Sequence, residues 1–194
     1  MRKLKEGYWN AYNSNLPNRN VRAIVKVNNE LIVGTDMGIF KSTGHMQSWN
    51  GKHLGEQCTS LNRVGNKIIA GTVKGVMIST DEGENWKFVH KGGATHNTTV
   101  EGNNIYAMYI SGDVFVGDTS ARRWKEIIYE PKEGSYVYDV LEMDGQILMS
   151  NNHGMLVSRN KGREWKLVFP EERYFFMDML KSDGRIFGCT RMRE

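Results

Sequence analysis

The sequence predicts an all-β protein, a five-bladed β-propeller of four-stranded antiparallel blades, and three observations carry this prediction. Five tryptophans recur at nearly constant spacing along the chain. Short apolar runs with turn residues between them surround each tryptophan, as expected for β-strands and not for helices. The spacing also continues across the joined chain ends. A linear array has no reason for that continuity, whereas a closed ring does.

The tryptophan spacing measures the repeat. Successive tryptophans are 40, 37, 38 and 41 residues apart, and the interval from the last one through the joined termini to the first is 38. A repeat of this size accommodates one four-stranded propeller blade. The five residues are Trp9, Trp49, Trp86, Trp124 and Trp165.

The apolar runs divide each repeat into four short strands. In the second repeat, Ile68–Thr72 and Gly75–Ser79 are the two central strands, and the turn Gly65-Asn66 precedes them. Such dipeptides supply the positive φ angles of tight hairpins. The chain therefore divides into a single domain, 1–194, with blades at about 21–55, 56–93, 94–133, 134–172, and 173–194 together with 1–14. We expect the N-terminal strand to close the last blade.

Composition limits the possible functions. The 194 residues carry a net charge of +4, the basic residues are scattered, and a nucleic-acid partner is therefore not favoured. No run approaches the ~20 apolar residues of a membrane span. The N-terminus lacks the apolar segment of a secretory signal, so we expect a protein that acts in the cytoplasm, whether a cell or a virus encodes it. We also expect it to be monomeric. Cys58 and Cys189 are expected to be reduced, packed thiols.

A short polar motif precedes two of the tryptophans. The second blade has the full pattern S-x-D-x-G-x-x-W, and the fourth has Asn in place of Asp. A short carboxylate or carboxamide can accept hydrogen bonds from the backbone of its own turn, and the glycine permits a left-handed conformation. The predicted role is structural. The residues are Ser79, Asp81, Gly83 and Trp86, and Ser158, Asn160, Gly162 and Trp165.

These motifs resemble the Asp box of the BNR-repeat propeller proteins. That group includes sialidases, some glycoside hydrolases, sortilin-type receptors and the photosystem II assembly factor of cyanobacteria and chloroplasts. The resemblance covers nearly the whole chain and implies a propeller fold, whereas known members usually have more than five blades. It implies little about function, because unrelated activities share this fold.

In a propeller, the ligand usually binds at the end of the ring opposite the Asp-box turns. The residues predicted at that end differ from blade to blade, which favours one asymmetric site over five equivalent ones. We expect a non-enzymatic binding module for a protein partner or a small polar or anionic ligand, although ordinary solvated loops remain an alternative. The candidate ligand-binding residues are Arg22, Asp36, Lys74, His96, Tyr138, Asp139, His153, Asp178 and Arg191.

Other functions stay open as alternatives. Asp139 and Asp178 occupy equivalent positions in adjacent blades and form the best carboxylate pair for a glycoside hydrolase or another hydrolase. A sialidase is disfavoured, because the chain lacks an R-I-P motif and has about half the usual length. A weak nucleic-acid binder is a further alternative. The histidines show no metal-ligand spacing and no dinucleotide or P-loop motif is present, so we expect neither metal nor cofactor.

Overall fold

The computed structural model describes residues 15–44, 46–120, 122–127, 129, 135–170 and 174–192. Regular structure in these ranges is entirely β. The strands form four four-stranded antiparallel sheets, which we call blades 1 to 4, and one two-stranded sheet, which we call the last hairpin. Each blade follows the chain order, with its strands adjacent in space as they are in sequence.

The strand bounds are as follows. Blade 1 consists of β1 (Val21–Val27), β2 (Glu30–Thr35), β3 (Gly38–Thr43) and β4 (Ser48–Leu54). Blade 2 consists of β5 (Cys58–Val64), β6 (Lys67–Thr72), β7 (Gly75–Ser79) and β8 (Lys87–His90). Blade 3 consists of β9 (Thr95–Glu101), β10 (Asn104–Tyr109), β11 (Val114–Asp118) and β12 (Trp124–Glu126). Blade 4 consists of β13 (Val137–Met143), β14 (Gln146–Asn151), β15 (Gly154–Ser158) and β16 (Lys166–Pro170), and the last hairpin of β17 (Tyr174–Ser182) and β18 (Arg185–Met192).

A β-bulge recurs at the same place in the first strand of every sheet. One residue near the start of the strand has no partner in the pairing register, so two residues face one on the neighbouring strand. A bulge bends the strand and re-aims its side chain. The five bulged residues are Arg22, Thr59, His96, Tyr138 and Met177. The shared position of the bulge indicates that the five sheets are copies of one repeat unit.

The blades pack face to face in chain order, and the tryptophans of blades 2 to 4 each pack against the preceding blade. Trp86 lies in the apolar cluster that contains Ile32 of blade 1. Trp165 of blade 4 lies with Ile127 and Tyr129, which follow the strands of blade 3. Trp124 likewise joins the cluster between blades 2 and 3. Burial of large aromatic and aliphatic surfaces between sheets therefore holds the array together.

The motif turn of blade 2 is a closed hydrogen-bond network. The Ser79 Oγ accepts a bond from the Gly83 N–H at 2.8 Å and donates to an Asp81 oxygen at 2.8 Å. That carboxylate accepts the backbone N–H of Asn85 at 2.9 Å, and this bond is the main reason that the pKa of Asp81 is lowered to about 2. The indole N–H of Trp86 donates to the Gly83 carbonyl at 3.1 Å.

The corresponding turn of blade 4 repeats this network with an amide in place of the carboxylate. The Ser158 Oγ accepts the Gly162 N–H at 2.8 Å, and the Asn160 Oδ1 accepts the Glu164 N–H at 2.8 Å. The indole N–H of Trp165 donates to the Gly162 carbonyl at 3.3 Å. Neutral Asn thus makes the same backbone bonds as Asp, because the required group is an acceptor oxygen and not a charge.

The segment that precedes β1 covers the face of blade 1 that points away from blade 2. Alternation along the strands places Ile32 towards blade 2 and Val33 on the opposite face. Leu16 packs with Val33 in a buried cluster, and the Asn15 Oδ1 accepts the backbone N–H of Trp49 at 3.1 Å. Residues 15–20 therefore run from the end of blade 1 that carries the turn between β3 and β4 to the start of β1 at the opposite end.

The closure predicted for residues 1–14 lies outside the described residues. The described chain has four four-stranded sheets and one two-stranded sheet, so five complete blades stay a prediction. The expectation for the thiols is right for Cys58, which is buried so that its pKa is raised to about 12. It is wrong for Cys189, which is exposed because no described strand covers the outer side of β18.

A search of the described ranges for a helix with the length and apolarity needed to cross a membrane finds none.

Candidate functional site

The starts of the five first strands lie at one end of the array, which we call the mouth. Contacts between these strands run in order from β1 to β5, β9, β13 and β17. Side chains just after the bulges bridge neighbouring blades, such as Ser60 Oγ with Thr98 Oγ1 at 2.8 Å. The Asp139 Oδ2 accepts the backbone N–H of Met179 at 3.0 Å in the equivalent place between blade 4 and the last hairpin.

At the blade 1 part of the mouth, Arg22 is already paired. Its guanidinium forms an ion pair with the Asp36 carboxylate. Asp36 also accepts hydrogen bonds from the side-chain amides of Asn20 at 2.9 Å and Gln57 at 2.6 Å. The Arg22 bond, with help from both amides, lowers the pKa of Asp36 to about 2. The bulge directs the Arg22 side chain towards Asp36, and this carboxylate balances the charge of the guanidinium.

Lys74 is also neutralised, by Glu56. The Lys74 ammonium lies 2.6 Å from one Glu56 oxygen, and the His53 Nε2 lies 3.0 Å from the other. Burial alone would raise the pKa of Glu56, but the bonds from Lys74 and His53 outweigh it and the net shift is downward. Lys74 and Glu56 come from different loops, and no local sequence pattern predicts their pairing. An anionic ligand would have to compete with internal carboxylates for both predicted cations.

The mouth of blades 3 and 4 and the last hairpin carries a continuous row of aromatic rings. The His96 and Tyr136 rings are stacked with centroids 4.4 Å apart, and the Tyr136 and Tyr138 centroids are 5.1 Å apart. The row continues to Phe175, whose centroid lies 6.0 Å from that of Tyr138. Three separate sheets contribute to it, so only the tertiary structure assembles the row. We call these four residues the aromatic row.

His96 is held in one orientation within the aromatic row. Its Nε2 contacts the Val137 carbonyl, so that nitrogen carries the proton and donates it. Burial lowers the pKa of His96, and the hydrogen bond to the Val137 carbonyl raises it by less, so the net shift is downward. The imidazole is therefore neutral at pH 7 and presents a flat face to Tyr136 rather than a positive charge.

Asp139 and Asp178 lie together, as their equivalent positions predict. Asp139 is 5% exposed, and its two oxygens accept the backbone N–H groups of Val140 at 2.8 Å and Met179 at 3.0 Å. Burial, with a smaller contribution from the neighbouring Asp178 carboxyl, outweighs the lowering effect of the two backbone bonds and raises the pKa of Asp139 to about 7. Asp178 is exposed and also accepts the Met179 N–H, at 2.9 Å. The pair joins blade 4 to the last hairpin.

The remaining candidates lie apart from these groups. His153 is half-buried in the turn between β14 and β15, where its backbone N–H donates to the Asn151 Oδ1 at 2.8 Å. Arg191 is exposed on β18, opposite Phe175 in the pairing register. Seven of the nine predicted residues therefore divide among ion pairs, the aromatic row and a carboxyl pair, and His153 and Arg191 lie outside these groups. Within the described ranges, no three His, Cys, Asp or Glu side chains are grouped so that they could hold a metal ion.

No protein-family model matches the chain, and no curated protein matches it in sequence. Solved structures do match it. An ancestral GH74 enzyme superposes with a TM-score of 0.75 and 19% identity, over 91% of this chain and 28% of that one. YCF48 from Cyanidioschyzon merolae superposes with a TM-score of 0.62 and 12% identity, over 89% of this chain and 65% of that one. The fold is that of a β-propeller.

A further match concerns YCF48 with a bound D1 peptide, at a TM-score of 0.64 and 12% identity, over 90% of this chain and 63% of that one. The chain thus spans between 28% and 65% of the length of these three proteins. At such identities the matches show the fold alone, and the same fold serves an enzyme and a peptide-binding protein.

Proposed function

We propose that this protein is a non-enzymatic binding module whose mouth binds a protein partner. The observation that carries the proposal is the aromatic row of His96, Tyr136, Tyr138 and Phe175 across three sheets. Half-buried aromatic rings offer a large contact area at low cost in conformational entropy, and such residues dominate the energetics of protein interfaces. The fold of a peptide-bound YCF48 supports a peptide as the partner's contacting segment.

The charges at the mouth support a partner bound by aromatic and hydrogen-bonding contacts rather than a small anion. Arg22 and Lys74, two of the cations expected to hold an anion, already pair with Asp36 and Glu56. Both cations are partly exposed, so an anionic ligand would have to compete with these carboxylates for the cations. The anionic alternative would therefore depend on Arg191, which is exposed on β18.

The test is selection of peptides from a random display library on the immobilised full chain, followed by titration of a selected peptide. Tyr138→Ala should weaken binding by at least about tenfold, as truncation of an interface aromatic commonly does. Lys87→Ala is the matched control, because Lys87 is exposed on β8, outside the mouth. Circular dichroism checks that both variants fold. Equal affinity of the Tyr138→Ala variant and the wild type would refute the proposed site.

The Asp139 and Asp178 pair favours a second candidate function, hydrolysis. A buried carboxyl group with a raised pKa beside a second carboxyl is the arrangement of a general acid and its partner. The backbone bonds to both oxygens of Asp139 weigh against it, because they favour a structural role. Chromogenic glycosides and phosphodiesters would be tested with the wild type and with Asp139→Asn. A wild type without turnover rejects this candidate.

Weak binding to nucleic acid is the remaining alternative, and its expected signature is salt-dependent retention on DNA or RNA. The net charge of +4 motivates it. Absence of retention at low salt would exclude it.

A further inference from the structure

The backbone that carries the aromatic row is already hydrogen-bonded within the protein. The Tyr136 N–H donates to the Asn152 Oδ1 at 2.8 Å, and the Tyr136 carbonyl accepts the Asn152 N–H at 3.2 Å. The Val137 carbonyl accepts the ring N–H of His96, and the Tyr138 carbonyl accepts a side-chain amide of β9 at 3.3 Å. A partner at this row therefore contacts mainly ring faces, and binding by addition of a β-strand is disfavoured.

The aromatic row is one ring wide and short. Its three successive centroid distances of 4.4, 5.1 and 6.0 Å limit its length to about 16 Å. Successive rings are inclined by 28°, 56° and 43°, so the row is a ridged surface and not a flat one. An α-helix with its side chains is about 10–12 Å wide and binds in an apolar groove. A polyproline II helix rises about 3.1 Å per residue, so about five of its residues match the length of the row.

The charges around the aromatic row favour a segment without a charge of its own. Arg22 and Lys74 are matched by carboxylates of this protein. Arg191 and Asp178, which are exposed at the mouth end of the last hairpin, have opposite signs. The His96 imidazole is neutral at pH 7. Neither sign of charge predominates among these groups, so a charged segment gains little electrostatic complementarity from them.

We propose that the aromatic row binds an uncharged, proline-rich segment of the partner in the polyproline II conformation. This inference rests on the proposed function and specifies the chemistry of the partner. Proline-rich segments dock on aromatic-lined surfaces, and their backbone makes no internal hydrogen bonds and needs no β-ladder. Because proline fixes φ, the segment loses little conformational entropy on binding. That saving matters at a site of four rings, where the contact area is small.

The first test is the composition of the peptides selected from the random display library on the full chain. Most selected peptides should carry two or more prolines within a window of about five residues, which is the length of the row. Selected peptides that depend on Tyr138 but show no enrichment in proline would overturn this inference and leave the proposed function standing. An amphipathic helical pattern or a common net charge would have the same consequence. Failure to select any peptide would overturn both.

The second test is titration of an acetylated and amidated decaproline peptide, with a Gly-Ser repeat of the same length as the control peptide. Decaproline should bind at least about tenfold more tightly than the Gly-Ser peptide. Tyr138→Ala should weaken the binding of decaproline by at least about tenfold, whereas Tyr138→Phe keeps the ring and should stay within about threefold of the wild type. Phe187→Ala is the matched control, because it removes an exposed ring from β18 near the end opposite the mouth.

Equal binding of decaproline and the Gly-Ser peptide would overturn the inference, and so would equal binding of decaproline to the wild type and to Tyr138→Ala. A loss in Tyr138→Phe as large as that in Tyr138→Ala would assign the contact to the hydroxyl and overturn docking on the ring. Raising the salt concentration from about 0.05 to about 0.5 M should change the Kd by less than about threefold, and a loss of about tenfold would indicate ionic recognition instead. Circular dichroism checks that each variant is folded.

Discussion

Asp139 should make the stability of this protein fall as the pH rises from about 4 to 7. Its pKa is raised to about 7 by burial and by the neighbouring Asp178, whereas an aspartate in an unfolded chain titrates near 3.9. Between these values the folded state holds a proton that the unfolded state has lost. The free energy of unfolding therefore decreases with pH in this window, and the contribution of the protonated carboxyl is lost above pH 7.

The size of the effect follows from the two pKa values. Their separation of about 3 pH units, at about 1.4 kcal/mol for each, corresponds to about 4 kcal/mol. Asp139 is 5% exposed, so little of this is screened by solvent. Asp139→Asn resembles the protonated acid, because it keeps one acceptor oxygen and replaces the hydroxyl with an amide. It should remove this part of the pH dependence.

The assay is urea unfolding, followed by tryptophan fluorescence at intervals from pH 4 to 8. The wild type should lose up to about 4 kcal/mol over this range relative to Asp139→Asn. Asp144→Asn, in the exposed turn between β13 and β14, is the matched control and should keep the wild-type slope. His90 and His96 titrate in all three proteins, so their contribution cancels in the differences. Parallel curves for the wild type and Asp139→Asn would refute the assignment.

Three other predictions concern the packing of the blades. Gly83→Ala should cost about 2–4 kcal/mol in unfolding experiments, because φ is +85° and an added Cβ would lie 2.2 Å from the Ile32 Cδ1. Gly65→Ala should cost only about 1 kcal/mol, because φ is +58° but no atom lies within 4 Å of the added Cβ. Equal costs for the Gly83 and Gly65 variants would contradict the contact between Gly83 and Ile32 of blade 1. Ser79→Ala should cost about 1–3 kcal/mol, because the buried N–H of Gly83 loses its acceptor. An unchanged free energy of unfolding would contradict the stabilising role of this turn. Cys58 should react with a thiol reagent only after unfolding, and rapid labelling of the native protein at two sites would disprove its burial.

Local sequence patterns predicted the strands and turns well because their causes are local. Turn residues with positive φ angles, such as Asn28 and Gly65, end the first strand where the apolar run stops. The bulges were not predicted as such. Their residues, including His96 and Tyr138, were nevertheless singled out, because alignment of the repeats placed them at equivalent positions.

The candidate site was harder to predict because its contacts join distant parts of the chain. Lys74 pairs with Glu56 and Arg22 pairs with Asp36, and only side-chain geometry reveals these pairings. Asp139 was correctly placed next to Asp178, but nothing in its sequence context predicts that backbone N–H groups occupy both of its oxygens.

The sequence by itself determined the repeat, the antiparallel strands and the predicted propeller fold, because strand alternation, turn chemistry and a spacing of about 39 residues are properties of short segments. The tertiary structure alone decided which charges are matched and that rings from three sheets form one aromatic row. These features depend on side chains that are 14 to 40 residues apart in the chain, and their energies arise only when folding brings those side chains together.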